Sequence, residues 1–438
     1  MSQSDASQSR PGEPPRQLGR ISFVGATIVA GSEMEVLEGA HLVIEEGRII
    51  ALGAGEPPRP AAAASGTGPE LTIDARGLLL APAFVNAHTH IGDIVAKEAG
   101  LGLPSWDVVM PPDGVKVRVL REARDDDLVA AIRDAVSVML GSGTTTFADF
   151  REGGAHGAEL LRRAAEGTGI RAVAFGRHGT HPPHAEADLE ANRGGLAPGL
   201  LEELDAMLDT LPGWGVPLAF DVTDEGLRQT AAAVRSRGRL LATHCVETDR
   251  YRQICRRRFG EGDVERVVKH LKPDHIVHMT SGNDEEFALV AAAGIPVVVA
   301  PRMQSVMGIG LPPIDRMIAA GVTVALGSDN GMLASPNLLK EMEFISRAMR
   351  ATRHDPTFPS PTLLLQMATI NGAKALRMER EIGSLAVGKR ADLTAFSKES
   401  PNLRRLRDPV ASIAHRAEPG DIVGVLSDGV VVHGELPT

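Results

Sequence analysis

The sequence predicts an α/β fold: a (β/α)8 barrel carrying a small discontinuous β-sandwich domain built from the two ends of the chain. Three observations lead there. Eight short apolar runs alternate with helix-length segments between residues 83 and 328. Val- and Ile-rich strand patterns punctuated by Gly turns flank that region on both sides. Several runs also end in polar, chemically competent side chains, at the end where a barrel opens. A doubly wound open sheet is the competing architecture, but the strand count and the placement of the polar residues favour the barrel.

Size and composition agree with this reading. The 438 residues are 43% hydrophobic and 23% charged, enough for a large core and for more than one domain of ~150 residues. The same balance excludes disorder along the whole chain. A net charge of −10 argues against a broadly basic surface for nucleic acid or anionic membrane. Two cysteines, Cys245 and Cys255, are too few for a disulfide framework or a Cys-rich zinc site. No apolar run approaches the ~20 residues of a membrane span, and the first residues lack the apolar stretch of a signal peptide. The expectation is a cytoplasmic enzyme acting on a small molecule, free of nucleic acid and membrane. Aromatics are only 3%, so Ala, Val, Leu and Ile must fill the core.

Residues 1–17, rich in Ser, Gln and Pro, read as a flexible tail. Residues 18–80 form the first part of the sandwich domain, with strand patterns at 21–30 and 40–53 and a low-complexity surface loop at 55–70. The barrel occupies 81–380, its strands expected at 83–88, 144–150, 171–177, 216–222, 239–245, 275–279, 295–301 and 322–328. Between them lie amphipathic stretches such as 126–143 and 284–296, each with a Gly suited to a helix C-cap. Residues 361–378 read as a helix, and 381–438 return to strand patterns that complete the sandwich domain.

The strand ends carry a consistent set. The first ends in His88-Thr89-His90, the fifth in His244-Cys245-Val246-Glu247, the sixth in His278 and the eighth in Asp329. Histidines at i and i+2 of an extended chain face the same side, so one cation can take both imidazoles. A third His and a carboxylate from other strands would complete a site suited to Zn²⁺ or Fe²⁺.

On these residues the sequence resembles the amidohydrolase superfamily, in its cytosine deaminase/chlorohydrolase-like branch. APAFVNAHTH (81–90) resembles the opening metal motif, THCVE (243–247) the HxxE motif, IVHM (276–279) the strand-six His, and ALGSDN (325–330) the closing Asp motif. MATINGAKAL (367–376) followed by 382–396 resembles the family's return from barrel to small domain. The resemblance spans roughly residues 20–436, in the family's order. It implies that His88, His90, His244 and Asp329 bind the metal. The expected fourth strand offers neither Lys nor Glu, only Asp221, so one divalent ion is expected, Zn²⁺ first and Fe²⁺ second.

Asp329 would then accept the proton of the attacking water, His278 would orient it, and Glu247 would shuttle a proton to a ring nitrogen or leaving amine. The implied activity is hydrolytic deamination of an amino-substituted nitrogen heterocycle of purine, pyrimidine, pterin or triazine type. The alternatives are ring opening of a cyclic amide and, last, a non-catalytic scaffold. Homo-oligomerisation is expected by analogy with such barrels.

Substrate contacts are expected from Lys97 (one of eight lysines), Trp106, Arg151, Arg177, His178 and Gln304, all on the functional face. Met303 and Gln304 depart from the family's usual Ser-Asn after Pro301-Arg302, at a position near the substrate. His178, His181 and His184 are a weaker candidate for a second metal site.

Overall fold

The computed structural model describes residues 19–58, 70–178 and 183–437. The expected tail at 1–17, most of the low-complexity loop and His181 lie outside the described residues.

A parallel sheet of nine segments curls through the middle of the chain, in the order Phe84–His90, Thr144–Phe150, Arg171–Gly176, Gly213–Val216, Leu240–Cys245, His275–His278, Val297–Val299 and Val324–Leu326. The ninth segment, Asp329–Asn330, follows the eighth across Gly327-Ser328 and pairs with the first, Asp329 opposite Thr89 and Asn330 opposite His90. The Gly327 amide donates to Val299 O at 2.9 Å and the Ser328 amide to His88 O at 3.1 Å, so the two halves of this strand bridge the ends of the sheet. That join puts Asp329 beside the first strand's histidines. Nearly every residue of these strands is buried, as expected of parallel strands covered on both faces.

Most expected strands stand within a few residues of their observed positions. The fourth does not. It runs over Gly213–Val216, while Ala219–Asp221, expected as strand, forms a 3-10 turn. Pro217 has no N–H to continue the ladder. Gly213 and Gly215 hid the strand, because glycine carries no β signal. Their missing side chains have a purpose: a Cβ on Gly215 would lie 2.6 Å from the Phe150 ring, and one on Gly213 2.8 Å from the Phe175 ring. Phe150 in turn sits under the imidazoles of His88 and His244, at ring-centroid distances of 4.9 and 4.8 Å. Gly215→Ala is therefore expected to destabilise the fold by about 1–3 kcal/mol through overpacking, read as a lower denaturant midpoint.

Helices follow the strands as the patterns suggest. Asp125–Gly141 precedes Gly143 at φ +87°, and Asp284–Ala292 precedes Gly294 at φ +65°. The second starts with Asn283 and Glu286 in a reciprocal capping box. The expected helix at 361–378 is two shorter ones, Pro361–Ala368 and Ile370–Ala375, broken at Thr369.

The chain ends meet in a single eight-stranded mixed sheet. Leu78–Pro82 pairs antiparallel with Leu393–Ser397, Leu393 opposite Pro82, and parallel with Arg20–Ala30. Its core includes Phe23, Ile28, Leu42, Leu80 and Leu393. Arg171, at the start of the third strand of the parallel sheet, clasps the terminal sheet to it through Asp392 (2.7 Å) and Asp428 (2.9 Å).

Candidate metal centre

His88 and His90 project from one face of the first strand, and Thr89 from the other, where its hydroxyl meets Asp149 Oδ1 at 2.9 Å. Parallel pairing brings His244 from the fifth strand opposite them. Its Nε2 lies 3.3 Å from His88 Nε2 and 3.4 Å from His90 Nε2. The partners of the other ring nitrogens decide what these contacts are. His244 Nδ1 is 3.0 Å from the Pro217 carbonyl and His90 Nδ1 is 2.8 Å from Glu152 Oε1. Carbonyl and carboxylate oxygens only accept, so both Nδ1 atoms carry the proton and both Nε2 atoms present bare lone pairs. Two such lone pairs cannot hydrogen-bond to one another. They converge where a cation would sit.

Asp329 completes the set. Its Oδ1 is 3.5 Å from His88 Nε2 and 3.7 Å from His90 Nε2, and both carboxylate oxygens are buried without a hydrogen-bond partner. A buried carboxylate left unpaired is costly, and a cation in the same pocket removes the cost. Burial pushes Asp329 up, but the imidazoles of His88, His278 and His90 hold it below the usual carboxylate range. Burial also lowers His88 to about 3 and takes His244 well below its usual range, which keeps both rings neutral, the form that ligates. The donor set thus fits a divalent ion of zinc type. Asp329, His278, Met279 and Val246 all adopt positive φ (+57°, +81°, +55° and +35°), strain concentrated at the ends of these strands.

Glu247 and His278 stand around this group. The Tyr251 hydroxyl, one turn into the helix Asp249–Phe259, donates to Glu247 Oε2 at 2.7 Å. Asp263 Oδ2 accepts from the Val246 amide at 2.8 Å, holding the bend that delivers Glu247. Gln304 Nε2 lies 3.1 Å from His278 Nδ1, and its donation there leaves the His278 N–H on Nε2, 3.7 Å from Asp329 Oδ2. A cavity of about 440 Å³ opens above, lined by His90, His244, Glu247, His278 and Asp329 among others.

Residues 79–432 match the amidohydrolase family. The chain belongs to this family. A 5-methylthioadenosine/S-adenosylhomocysteine deaminase of Moorella thermoacetica is 30% identical over 440 residues, covering 96% of each chain. A provisionally named aminohydrolase of Methanothermobacter thermautotrophicus is 32% identical over 364 residues, 82% of this chain and 88% of its own. Among solved structures, a zinc complex of atrazine chlorohydrolase from Arthrobacter aurescens superposes with a TM-score of 0.78 at 20% identity, covering 94% of both chains. At that identity the superposition establishes the fold.

The amidohydrolase cavity also shows where the other expected residues lie. Arg177 and His178 line it. Gln304 is fully buried behind His278 and touches Thr280, so it reaches the cavity through His278. Arg151 is buried against Asp149 and Glu152, both at 3.4 Å, and is not part of the lining. Trp106 is half-buried beneath the Arg250 guanidinium, 3.5 Å from its ring centroid, and Lys97 is exposed; neither lines the cavity. The lysine that does is Lys116, which sequence reasoning missed, together with Tyr251, Glu152 and Asn330. Asp221 faces Arg258 at 3.6 Å rather than the histidines. Among the described residues, His88, His90 and His244 are the one cluster able to hold a metal.

Proposed function

We propose that this amidohydrolase is a metal-dependent deaminase that removes ammonia from a C(NH₂)=N unit of a purine-like heterocycle. The observation that carries the reading is the convergence of three imidazoles and a buried carboxylate at the floor of a cavity walled by Glu247. A divalent ion held by His88, His90, His244 and Asp329, zinc by the donor chemistry and ferrous iron next, supplies the Lewis acidity that makes water a nucleophile near neutral pH.

The chain's own groups do the rest. Asp329 accepts a proton from the attacking water at a carboxylate oxygen that no protein donor blocks. His278 directs an N–H at the same space. Glu247, its Oε2 fixed by Tyr251, gives a proton to the ring nitrogen and takes one back from the added hydroxyl, and the proton that Asp329 took from the water passes to the leaving amine. Water adds at the amino-bearing carbon, the C–N bond breaks, and the ring keeps a carbonyl as ammonia departs. The names of the relatives support a purine ring first; Arg177 and His178 then contact its substituent. The same reading takes the domain division at 18–80, 81–380 and 381–438, a sandwich arrangement of the terminal sheet, a cytoplasmic location and a homo-oligomer. Among the described residues no helix is long and apolar enough to cross a membrane.

The test is ammonia release by zinc-loaded protein from adenine nucleosides, aminopyrimidines, pterins and aminotriazines. Ammonia in step with substrate loss from at least one ring supports deamination. Silence across the panel with metal bound, and turnover of a cyclic amide without ammonia, would replace it with ring opening.

A further inference from the structure

Lys116 is a buried ammonium with no part in the chemistry above. It belongs to the helix Val115–Glu122, which with Met110 and Pro112 roofs the cavity. Its side chain is 7% exposed, and its Nζ reaches three separate elements. It lies 2.7 Å from Glu152 Oε1 beyond the second strand, 3.1 Å from Asn330 Oδ1 beside Asp329, and 4.0 Å from Asp93 Oδ2 after the first strand. The oxygen it holds on Glu152 is the one that accepts from His90 Nδ1 at 2.8 Å. One carboxylate oxygen therefore joins the roof to a metal-binding imidazole.

An ammonium has three N–H donors; Glu152 Oε1 and Asn330 Oδ1 take two of them, and Asp93 Oδ2 at 4.0 Å adds an ion pair beyond hydrogen-bond distance. Most of its donor capacity is thus spent on protein groups at the edge of the cavity it lines. The roof has another anchor in Trp106, which packs under Arg250 and against the cluster that includes Phe220 and Tyr251. Partners behind a ligating histidine fix its tautomer and ring direction, and their loss typically lowers metal affinity ~10–100-fold.

We propose that Lys116 is a positioning residue: its ammonium clamps Glu152 against His90 Nδ1 and Asn330 beside Asp329, so that closure of the roof helix and alignment of the metal donors are one event. The inference rests on the metal-centre reading given above. Roof order and metal affinity should rise and fall together.

The experiment compares full-length wild type, Lys116→Met and Glu152→Gln by two readouts that need no substrate. One is the zinc dissociation constant from chelator competition; the other is amide hydrogen exchange over 105–122 in the zinc-free protein. Lys116→Met is expected to weaken zinc binding about 10-fold or more and to speed exchange at 115–122. The double variant should be no weaker than the poorer single one, because both act through one contact. A folded Lys116→Met with unchanged zinc affinity and unchanged exchange overturns the proposal. If that variant does not fold, Glu152→Gln, which keeps shape and size, is judged by the same two readouts. Wild type that takes no zinc would contradict the metal-centre reading instead, and exchange alone would then decide whether Lys116 ties down the roof.

Discussion

Asp329→Asn is expected to lower kcat by about 10²–10⁴-fold, the range for loss of a group that moves a proton in the transition state. The amide cannot accept the proton of the attacking water and is a poorer donor to a cation. The fold should survive the change, because the amide has the carboxylate's shape and size. Loss of activity with the far-ultraviolet circular dichroism retained is the signature, and a folded Asp329→Asn variant with unchanged kcat would contradict the role.

Glu247→Gln separates proton transfer from metal binding. Glu247 is not among the clustered donors, and its Oε2 is held by Tyr251. The glutamine variant should therefore retain zinc at wild-type stoichiometry while kcat falls about 10²-fold or more, with KM changed little. Tyr251→Phe should give a smaller loss in the same direction, since it frees the carboxylate without removing it. Zinc loss in Glu247→Gln would show that the carboxylate supports His244 instead.

Much of this site was legible in the sequence because parallel strands order it. His88, His90, His244, His278 and Asp329 lie at the ends of strands whose register in a barrel is set by the alternation of apolar runs and helices. Backbone periodicity alone therefore places them on one rim. Lys116 and Tyr251 were not legible for the opposite reason. They come from helices after the strands, and their reach depends on loop geometry that no period encodes. Lys97 shows the cost of judging by chain proximity: it follows the metal motif more closely than Lys116, yet it points outward. The fourth strand was misplaced because the residues that fit it under Phe150 and Phe175 are glycines. A strand chosen for the space it leaves carries little hydrophobic signal.

Glu152 lies between these cases. Burial pushes it up, yet Lys116 and His90 together hold it well below its usual range. From sequence it stands on the functional face without a role, and only the positions of Lys116 and His90 supply one.

The central claim is that His88, His90, His244 and Asp329 hold a single divalent ion. Its most direct test is zinc stoichiometry by equilibrium dialysis of the full-length protein beside His244→Ala. The account predicts one zinc per chain in the wild type, and loss of that zinc in a His244→Ala variant that keeps its far-ultraviolet circular dichroism. A wild type that takes no zinc, or a His244→Ala variant that binds one ion as tightly as wild type, would contradict it.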